Sequence, residues 1–252
     1  MAPPQQPTTQ TCLVPAGLYL TGPDGDLQER ALKTAVQFDA SPVTAARYTR
    51  FLKELRPDGT SEWDHPDQPV GVAHIPWSKR LRDLDFYSDT RWAEYPAVCV
   101  SWWSAYAFAS FDGKRLPTSL EWEAAARGTD GRPFPWGSNP DPAAVNCADQ
   151  WAGRPLATYE QWRDAARNGE LTESRAPATD RPANRSPFGV IGMVGNAWEW
   201  TSTVIEETGD AILCGGAYDT SLHVICTSLK GTYSRRGQSN AVTFRCVQDA
   251  ST

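Results

Sequence analysis

Short apolar runs, each bounded by turn-forming residues, divide the chain into many small elements. Apolar runs within residues 12–20 and 33–38 flank the sequence Gly22-Pro23-Asp24-Gly25. Runs of this length between glycine and proline are typical of β-strands, so they predict two strands joined by a loop. Further short strands are predicted within AVCVSW (97–102), GNAWEWTSTV (195–204), ILCGGAY (212–218) and TFRCV (243–247).

Helices are indicated by the spacing of apolar residues and by residues that favour helix ends. In residues 45–55 apolar side chains recur every three or four positions, which is the spacing of one helix face. Ser101 and Thr118 are residue types that cap helix N-termini, and Gly128 favours a helix end. These signals predict helices within residues 45–55, 102–111, 119–127 and 159–169, and a long, packed, irregular loop over residues 56–95.

The composition indicates one domain with much irregular backbone. The chain has 252 residues, of which 40% are hydrophobic, and this is enough for one large core. Its 11 Trp and 20 Pro favour loops that large aromatic side chains hold in place. We expect a single domain over residues 12–252. The polar, proline-rich residues 1–11 are expected to form a disordered lead.

The charge and the apolar runs narrow the classes of partner. A formal net charge of −6 provides no global positive field for a phosphate backbone, so we expect no nucleic-acid partner. No stretch approaches the roughly 20 apolar residues that cross a bilayer, and the N-terminus lacks a secretory pattern. We therefore expect a cytoplasmic protein without membrane insertion; display on a surface through a partner stays compatible with the sequence. The six cysteines form no CxxC pair, and we expect them to be reduced.

Several blocks of the chain resemble, in order and spacing, the formylglycine-generating enzyme (sulfatase-modifying factor) family. The most specific are GKRLPTSLEWEAAARG (113–128) and GNAWEWT (195–201), and shorter ones are FPWG (134–137), CGGAY (214–218) and FRCV (244–247). The resemblance extends from about Cys12 to Val247. It implies an α+β, C-type-lectin-like fold of the formylglycine-generating-enzyme type, with short sheets, a few helices and much irregular structure.

The resemblance does not extend to the residues that carry catalysis in this family. Formylglycine-generating enzymes are copper-dependent oxidases of a peptidyl cysteine, with two cysteines shortly after the Gly-Gly block; two thiolates suit a soft ion such as Cu(I). Here the first of these positions falls on Thr220, and Cys226 lies one residue beyond the second. We therefore expect no copper site and favour a protein without enzymatic activity. A divergent metal-dependent oxidase that uses Cys226, with Cys214, is the alternative.

Related sulfoxide synthases bind iron with histidines from an additional helical domain. The three histidines of this chain, His65, His74 and His223, are far apart in sequence. An isolated histidine is usually a surface residue or a hydrogen-bonded structural residue, and we interpret all three in this way.

The variable proteins of diversity-generating retroelements, which also resemble this chain, carry a hypervariable stretch between the Gly-Gly and Phe-Arg blocks. Residues 217–229 (AYDTSLHVICTSL) contain only residue types that adenine-directed mutagenesis of AAY codons produces, and they have no helical or strand period. They resemble a diversified surface on a fixed scaffold. An ordinary degenerate loop would have the same composition, so both interpretations stay open.

The favoured hypothesis is a non-catalytic, C-type-lectin-type ligand-binding protein, similar to a retroelement variable protein, with a variable ligand-binding segment at residues 217–243. Its ligand would be a protein or a small molecule that the sequence does not identify. Adaptable polar side chains mixed with apolar ones are typical of antibody loops. The residues predicted to contact the ligand are Tyr218, Asp219, Ser221, Leu222, His223, Ile225, Thr227, Leu229, Tyr233 and Ser234.

The resemblance also implies a calcium site within GNAWEW. In the family an Asn side chain, a Glu carboxylate and nearby carbonyls hold the ion, and such hard oxygen ligands suit calcium. By resemblance Asn196 and Glu199 are the side-chain ligands, with Val194 and Gly195 as carbonyl donors. The alternative is that Asn196 caps a turn and Glu199 pairs with a basic group. Arg245 is predicted to hydrogen-bond loop carbonyls, and six tryptophans are predicted to pack in the core, namely Trp102, Trp103, Trp122, Trp136, Trp198 and Trp200.

Overall fold

The computed structural model describes residues 9–171 and 175–250. Residues 1–8 of the predicted lead lie outside the described residues. The rest of that lead is ordered, which corrects the prediction for it: Thr11 begins a strand, and the Gln10 carbonyl accepts a hydrogen bond from the Ala40 N–H at 2.9 Å. The domain therefore begins a few residues earlier than the pattern of apolar residues indicates.

The strands of the described residues are all short. They are β1 (Thr11–Val14), β2 (Gly17–Thr21), β3 (Gln28–Leu32), β4 (Val36–Asp39), β5 (Trp198–Val204), β6 (Ala211–Cys214), β7 (Lys230–Tyr233), β8 (Val242–Phe244) and β9 (Val247–Asp249). β2 and β3 form a hairpin around the predicted turn at residues 22–25. β1, β4 and β9 form an antiparallel sheet in the order β1-β4-β9, which joins the two ends of the domain.

The other sheet has four strands in the order β7-β6-β5-β8. β5 pairs with β6 antiparallel and with β8 parallel, and Glu199 lies opposite Cys214 on one side and Thr243 on the other. The GNAWEW block therefore occupies the centre of this sheet. β7 was not predicted, because its sequence KGTY has no apolar alternation.

The helices are α1 (Ala45–Leu52), α2 (Lys79–Asp83), α3 (Trp102–Phe111), α4 (Ser119–Arg127), α5 (Ala148–Ala152) and α6 (Tyr159–Arg167), with a 3₁₀ turn at Thr90–Trp92. The predicted caps are confirmed: the Ser101 hydroxyl accepts from the Ser104 N–H, and Thr118 forms a capping box with Glu121. The short helices α2 and α5 were not predicted. Within the described residues, no helix is long and apolar enough to cross a membrane.

The strand predicted at residues 97–102 is wrong. The structure has only an isolated bridge between Pro96 and Thr44 at this point, followed by irregular backbone. Cys99 has a φ of +56°, which interrupts an extended conformation. Val98 and Val100 are nonetheless buried, so the apolar run reports burial rather than strand pairing.

Two aromatic clusters hold the loops and the short elements together. In one, Tyr48 of α1 and Phe108 of α3 pack on Phe244 of β8, and Phe51 of α1 packs on both of them. In the other, Trp122 of α4 packs among residues from β1, β4, β6 and the end of the chain. Burial of such rings supplies much apolar area for short elements that have little stability alone.

A buried ion pair links these elements. Arg245 donates to both carboxylate oxygens of Glu199, from Nε and NH2 at 2.6 Å each, and Trp122 Nε1 donates to Glu199 Oε2 at 2.8 Å. Arg245 also donates to the carbonyls of Asp39 and Ile191, at 3.3 and 3.1 Å, as the sequence predicted for loop carbonyls. Arg245, Glu199 and Trp122 are each at most 1% exposed. The ion pair thus connects α4, through Trp122, with β5 and the end of β4.

Loss of one partner would leave a buried, unpaired charge. Arg245→Met is expected to reduce the free energy of unfolding by about 3–5 kcal/mol, measured by urea denaturation. Glu199→Gln should also destabilise, and the double variant should cost less than the sum of the two. Arg91→Met, which removes an exposed ion pair with Asp89, is the matched control and should leave the urea midpoint unchanged. Equal effects of Arg245→Met and the control would contradict this account.

Candidate ligand-binding cleft

The ten residues predicted to bind ligand do not share one surface. Ile225 and Thr227 are each 1% exposed, so their inclusion was wrong. Ile225 packs in the cluster around Trp122, with Leu222 and Leu229 half-buried against it. Thr227 donates its hydroxyl to the Arg132 carbonyl at 3.1 Å. These side chains support the loop from inside.

Three other predicted residues also lie away from a common surface. Tyr218 is buried at 6% exposure, and its N–H donates to the Asn196 carbonyl. Tyr233 stacks on Trp200 with ring centroids 5.7 Å apart and borders a separate polar depression, which Trp77 also lines. Ser234 follows Tyr233 and is exposed. The residue types in 217–243 gave no indication of which side chains are buried and which are exposed.

The remaining three predicted residues, Asp219, Ser221 and His223, line one cleft of about 390 Å³. Its other walls come from the segment around α6 and from the start of β5. The full lining is Leu156, Thr158, Tyr159, Trp162, Trp198, Asp219, Thr220, Ser221, His223 and Val224. We call this the α6 cleft.

Hydrogen bonds fix the loop that forms one wall of the α6 cleft. The Asp149 carboxylate accepts from the N–H groups of Leu156 and Leu222, at 2.8 Å each, and so ties the two walls together. The Ser221 hydroxyl donates to the Leu156 carbonyl at 2.5 Å. The Thr220 hydroxyl accepts from the Ala217 N–H at 2.9 Å and closes a turn. Thr220, which the resemblance placed at the first cysteine position, therefore has a structural role.

The loop approaches α4 closely at the glycine pair before it. Gly215 has a φ of +96°, and a Cβ there would lie 2.5 Å from the Met193 carbonyl and 3.1 Å from the Trp122 ring. Only glycine fits this backbone without strain. The Gly-Gly block thus seats the loop on the core.

Aromatic residues form the opposite wall. The Thr158 hydroxyl caps α6, and Tyr159 and Trp162 stack with ring centroids 5.8 Å apart and an interplanar angle of 26°. Trp162 Nε1 donates to the backbone carbonyl of Asp219 at 2.6 Å, which joins helix and loop. Trp198 is half-buried and reaches both the core and the cleft, so its predicted core role was incomplete.

Sequence reasoning missed Tyr159 and Trp162 as site residues, although it placed a helix there. The signal in the sequence was a large aromatic residue on the polar side of a short helix. In the structure, Tyr159 is 72% exposed. Together with Trp162, Trp198 and Val224 it forms a contiguous apolar surface, which is typical of binding sites.

The electrostatics of the α6 cleft are set by Asp219. Burial raises the pKa of its carboxyl above the ordinary value. Among the described residues no ion pair of Asp219 is formed, and no lysine or arginine lines the cleft. The cleft is therefore apolar and aromatic with one acidic group.

The histidines divide into two structural residues and one cleft residue. His74 Nε2 contacts Asp64 Oδ1 at 2.6 Å and Nδ1 contacts the Ser104 hydroxyl at 3.1 Å. This order of groups is that of a Ser-His-Asp triad, but Ser104 is fully buried inside α3 and no substrate can reach it. His65 packs on Tyr106 with ring centroids 4.5 Å apart. His223 is exposed at the rim of the α6 cleft.

The cysteines do not assemble into a metal site. Cys214 is buried beside Trp122, and burial raises the pKa of its thiol, which disfavours the thiolate that binds a metal. Cys226 is half-buried with its sulfur 3.3 Å from the Ser228 hydroxyl. Cys12, Cys147, Cys214, Cys226 and Cys246 do not form disulfides. Over residues 9–171 and 175–250, no group of three His, Cys, Asp or Glu side chains could hold a metal ion.

The four residues that the family resemblance assigns to calcium have protein partners instead. Glu199 is paired with Arg245 and Trp122. The Asn196 side-chain oxygen accepts from the Asn146 amide and the Ala176 N–H, both at 2.9 Å.

The two predicted carbonyl donors are engaged in the same way. The Val194 carbonyl accepts from the Asn184 amide at 2.6 Å, and the Gly195 carbonyl accepts from the Ala197 N–H at 2.8 Å. Glu199 is thus neutralised by the Arg245 guanidinium, and a calcium ion held by these four residues would compete with the hydrogen bonds that they already form.

The comparisons with known proteins agree with this architecture. The model of the sulfatase-modifying factor enzyme 1-like domain matches residues 1–250. The uncharacterized protein YfmG of Bacillus subtilis (strain 168) is 31% identical, over 84% of this chain and 46% of that protein. The formylglycine-generating enzyme of Mus musculus is 37% identical, over 83% of this chain and 66% of the enzyme. The inactive C-alpha-formylglycine-generating enzyme 2 of Mus musculus is 31% identical, over 62% of this chain and 50% of that protein.

This chain spans about half the length of several curated relatives, as the 46% of YfmG illustrates. Among solved structures, CarF has a TM-score of 0.66 at 18% identity and covers 97% of this chain and 99% of its own. The Treponema denticola variable protein 1 has a TM-score of 0.56 at 15% identity, with 95% of both chains covered. The predicted α+β, C-type-lectin-like fold of the formylglycine-generating-enzyme type is thereby confirmed.

The contacts of Glu199 and Asn196 give a direct expectation for calcium. Thermal unfolding followed by fluorescence should give the same midpoint in EDTA and in excess calcium, because these side chains already have partners. A calcium-dependent rise of the midpoint that Asn196→Ala abolishes would contradict this expectation. Asn139→Ala, at an exposed asparagine, is the control.

Proposed function

Because the chain belongs to the sulfatase-modifying factor enzyme 1-like family, we propose that it is a non-catalytic member that binds a ligand in the α6 cleft. The single observation that carries the proposal is the place of Thr220. Its hydroxyl closes the turn of the cleft loop, at the position where the family's oxidases need a copper-binding thiolate. Thr220 therefore shapes the loop that forms one wall of the α6 cleft.

The surroundings of the two nearby cysteines support the same proposal. A buried thiol with a raised pKa, as at Cys214, is a poor metal ligand. Cys226 alone supplies one thiol, whereas the copper site of the family's oxidases needs two. An inactive relative of the same family, named as such in Mus musculus, shows that loss of activity has a precedent among similar chains.

A variable-protein role is the finer form of this proposal. Diversification would be tolerated at the exposed positions of the cleft loop, His223 and Val224, and at the half-buried Asp219, because these side chains make few core contacts. It would not be tolerated at Ile225 or Thr227, which pack inside. Binding residues on a loop held by a rigid scaffold fit this arrangement.

Sequencing the DNA that follows the gene tests the variable-protein form. We expect a near-identical template repeat that differs from the gene at adenines, with the differences concentrated at the codons for residues 219, 223 and 224. Absence of any such repeat in the whole genome would contradict a retroelement origin while leaving ligand binding intact.

An activity assay tests the non-catalytic proposal against the oxidase alternative. The protein, loaded with Cu(I), is mixed with a cysteine-containing sulfatase peptide and oxygen, and the peptide is examined by mass spectrometry. We expect no aldehyde product and no oxygen uptake. Turnover that disappears in Cys226→Ser but persists in Cys12→Ser would overturn the proposal.

A further inference from the structure

The α6 cleft combines aromatic rings with a carboxylate that has no basic partner among the described residues. Tyr159, Trp162 and Trp198 contribute the rings, and Asp219 contributes the acid. We propose that the cleft binds a small ligand through an alkylated ammonium group, with its N-methyl groups against these rings and its charge balanced by Asp219. This inference rests on the proposed binding function and names its ligand class.

The rings favour a cation over a neutral apolar group. The face of an indole or phenol ring carries negative charge density and attracts a cation within about 6 Å, most strongly when water is excluded. Trp162 is held in place by the bond from its Nε1 to the Asp219 backbone carbonyl, so the ring has a fixed position against the backbone of residue 219. A preorganised site loses little entropy on binding.

Apart from the Asp219 carboxylate and the exposed side chains of Tyr159 and His223, the polar side chains of the lining are already used in hydrogen bonds and offer little to a primary ammonium group or a sugar. The hydroxyls of Thr158, Thr220 and Ser221 each accept a backbone N–H, and that of Ser221 also donates to the Leu156 carbonyl. A primary ammonium has three N–H donors to satisfy once it leaves water, whereas a quaternary ammonium has none. The cleft therefore favours the alkylated form.

The charge of the cleft lining disfavours anionic ligands, and the volume of the cleft suits a small molecule. Among the residues that the structure describes, no lysine or arginine lines the cleft to receive a phosphate or carboxylate, and the chain carries a net charge of −6. Burial raises the pKa of Asp219 because it disfavours the charged carboxylate, and a cation bound beside this side chain would offset that cost. A volume of about 390 Å³ suits a small organic molecule.

Isothermal titration calorimetry with choline as the probe tests the proposal. Three titrants are compared: choline, ethanolamine as the primary amine, and the neutral isostere of choline in which carbon replaces nitrogen. We expect choline to bind more tightly than the neutral isostere by about threefold to thirtyfold, which is the range for a cation on aromatic rings. Ethanolamine should bind more weakly than choline.

Two variants place the binding in the α6 cleft. Asp219→Asn keeps the shape and removes the charge, and should weaken choline binding about tenfold. Tyr159→Ala removes an exposed ring and should weaken it about threefold. Asp164→Asn, on α6 outside the cleft lining, is the control and should bind choline as the wild type does. Thermal midpoints of all variants verify that they are folded.

Each outcome decides the inference. Choline binding that both cleft variants weaken and the control preserves supports it. No choline binding, equal binding of the neutral isostere, tighter binding of ethanolamine, or choline binding untouched by Asp219→Asn overturns it. Failure of the proposed function would instead appear as copper-dependent turnover of the peptide, which is a separate measurement.

Discussion

The buried pair between Arg245 and Glu199 is the interaction on which this fold depends most. It lies where a central strand, a helix and the ends of two loops converge, and Trp122 completes the hydrogen bonds of the carboxylate. Two charges inside a protein are stable only when each is paired and hydrogen-bonded. Elements of three to ten residues, which have little stability of their own, are therefore ordered by one polar centre and by the aromatic clusters around it.

The same polar centre also positions the loop that forms one wall of the α6 cleft. Gly215 follows β6 and rests against Trp122, and the segment beyond it is closed by the Thr220 turn and tied across the cleft by Asp149. Its inward side chains, such as Ile225, belong to the core. In the proposed function, the side chains of Asp219 and His223 face the ligand, and changes at these two positions leave the core contacts of the scaffold intact.

Much of the helical structure could be predicted because local chemistry determines it. Ser101, Thr118 and Gly128 mark helix ends by their own hydrogen bonds or backbone freedom, and the structure places the ends there. The run at residues 97–102 misled because burial without strand pairing gives the same apolar pattern as a strand. The residues that line the α6 cleft could be predicted only in part. Which side of the 217–229 loop faces outward depends on contacts with α6 and α4, and these are far away in sequence.

The most direct test of a rigid scaffold with a ligand in the α6 cleft is an NMR titration of the tryptophan indole N–H signals. The 11 Trp residues give separate probes, assigned by single Trp→Phe variants. Addition of choline should shift the signals of Trp162 and Trp198 and leave that of Trp122, which is bound to Glu199, unchanged. Shifts confined to other tryptophans, or a shift of Trp122 comparable with that of Trp162, would contradict the account.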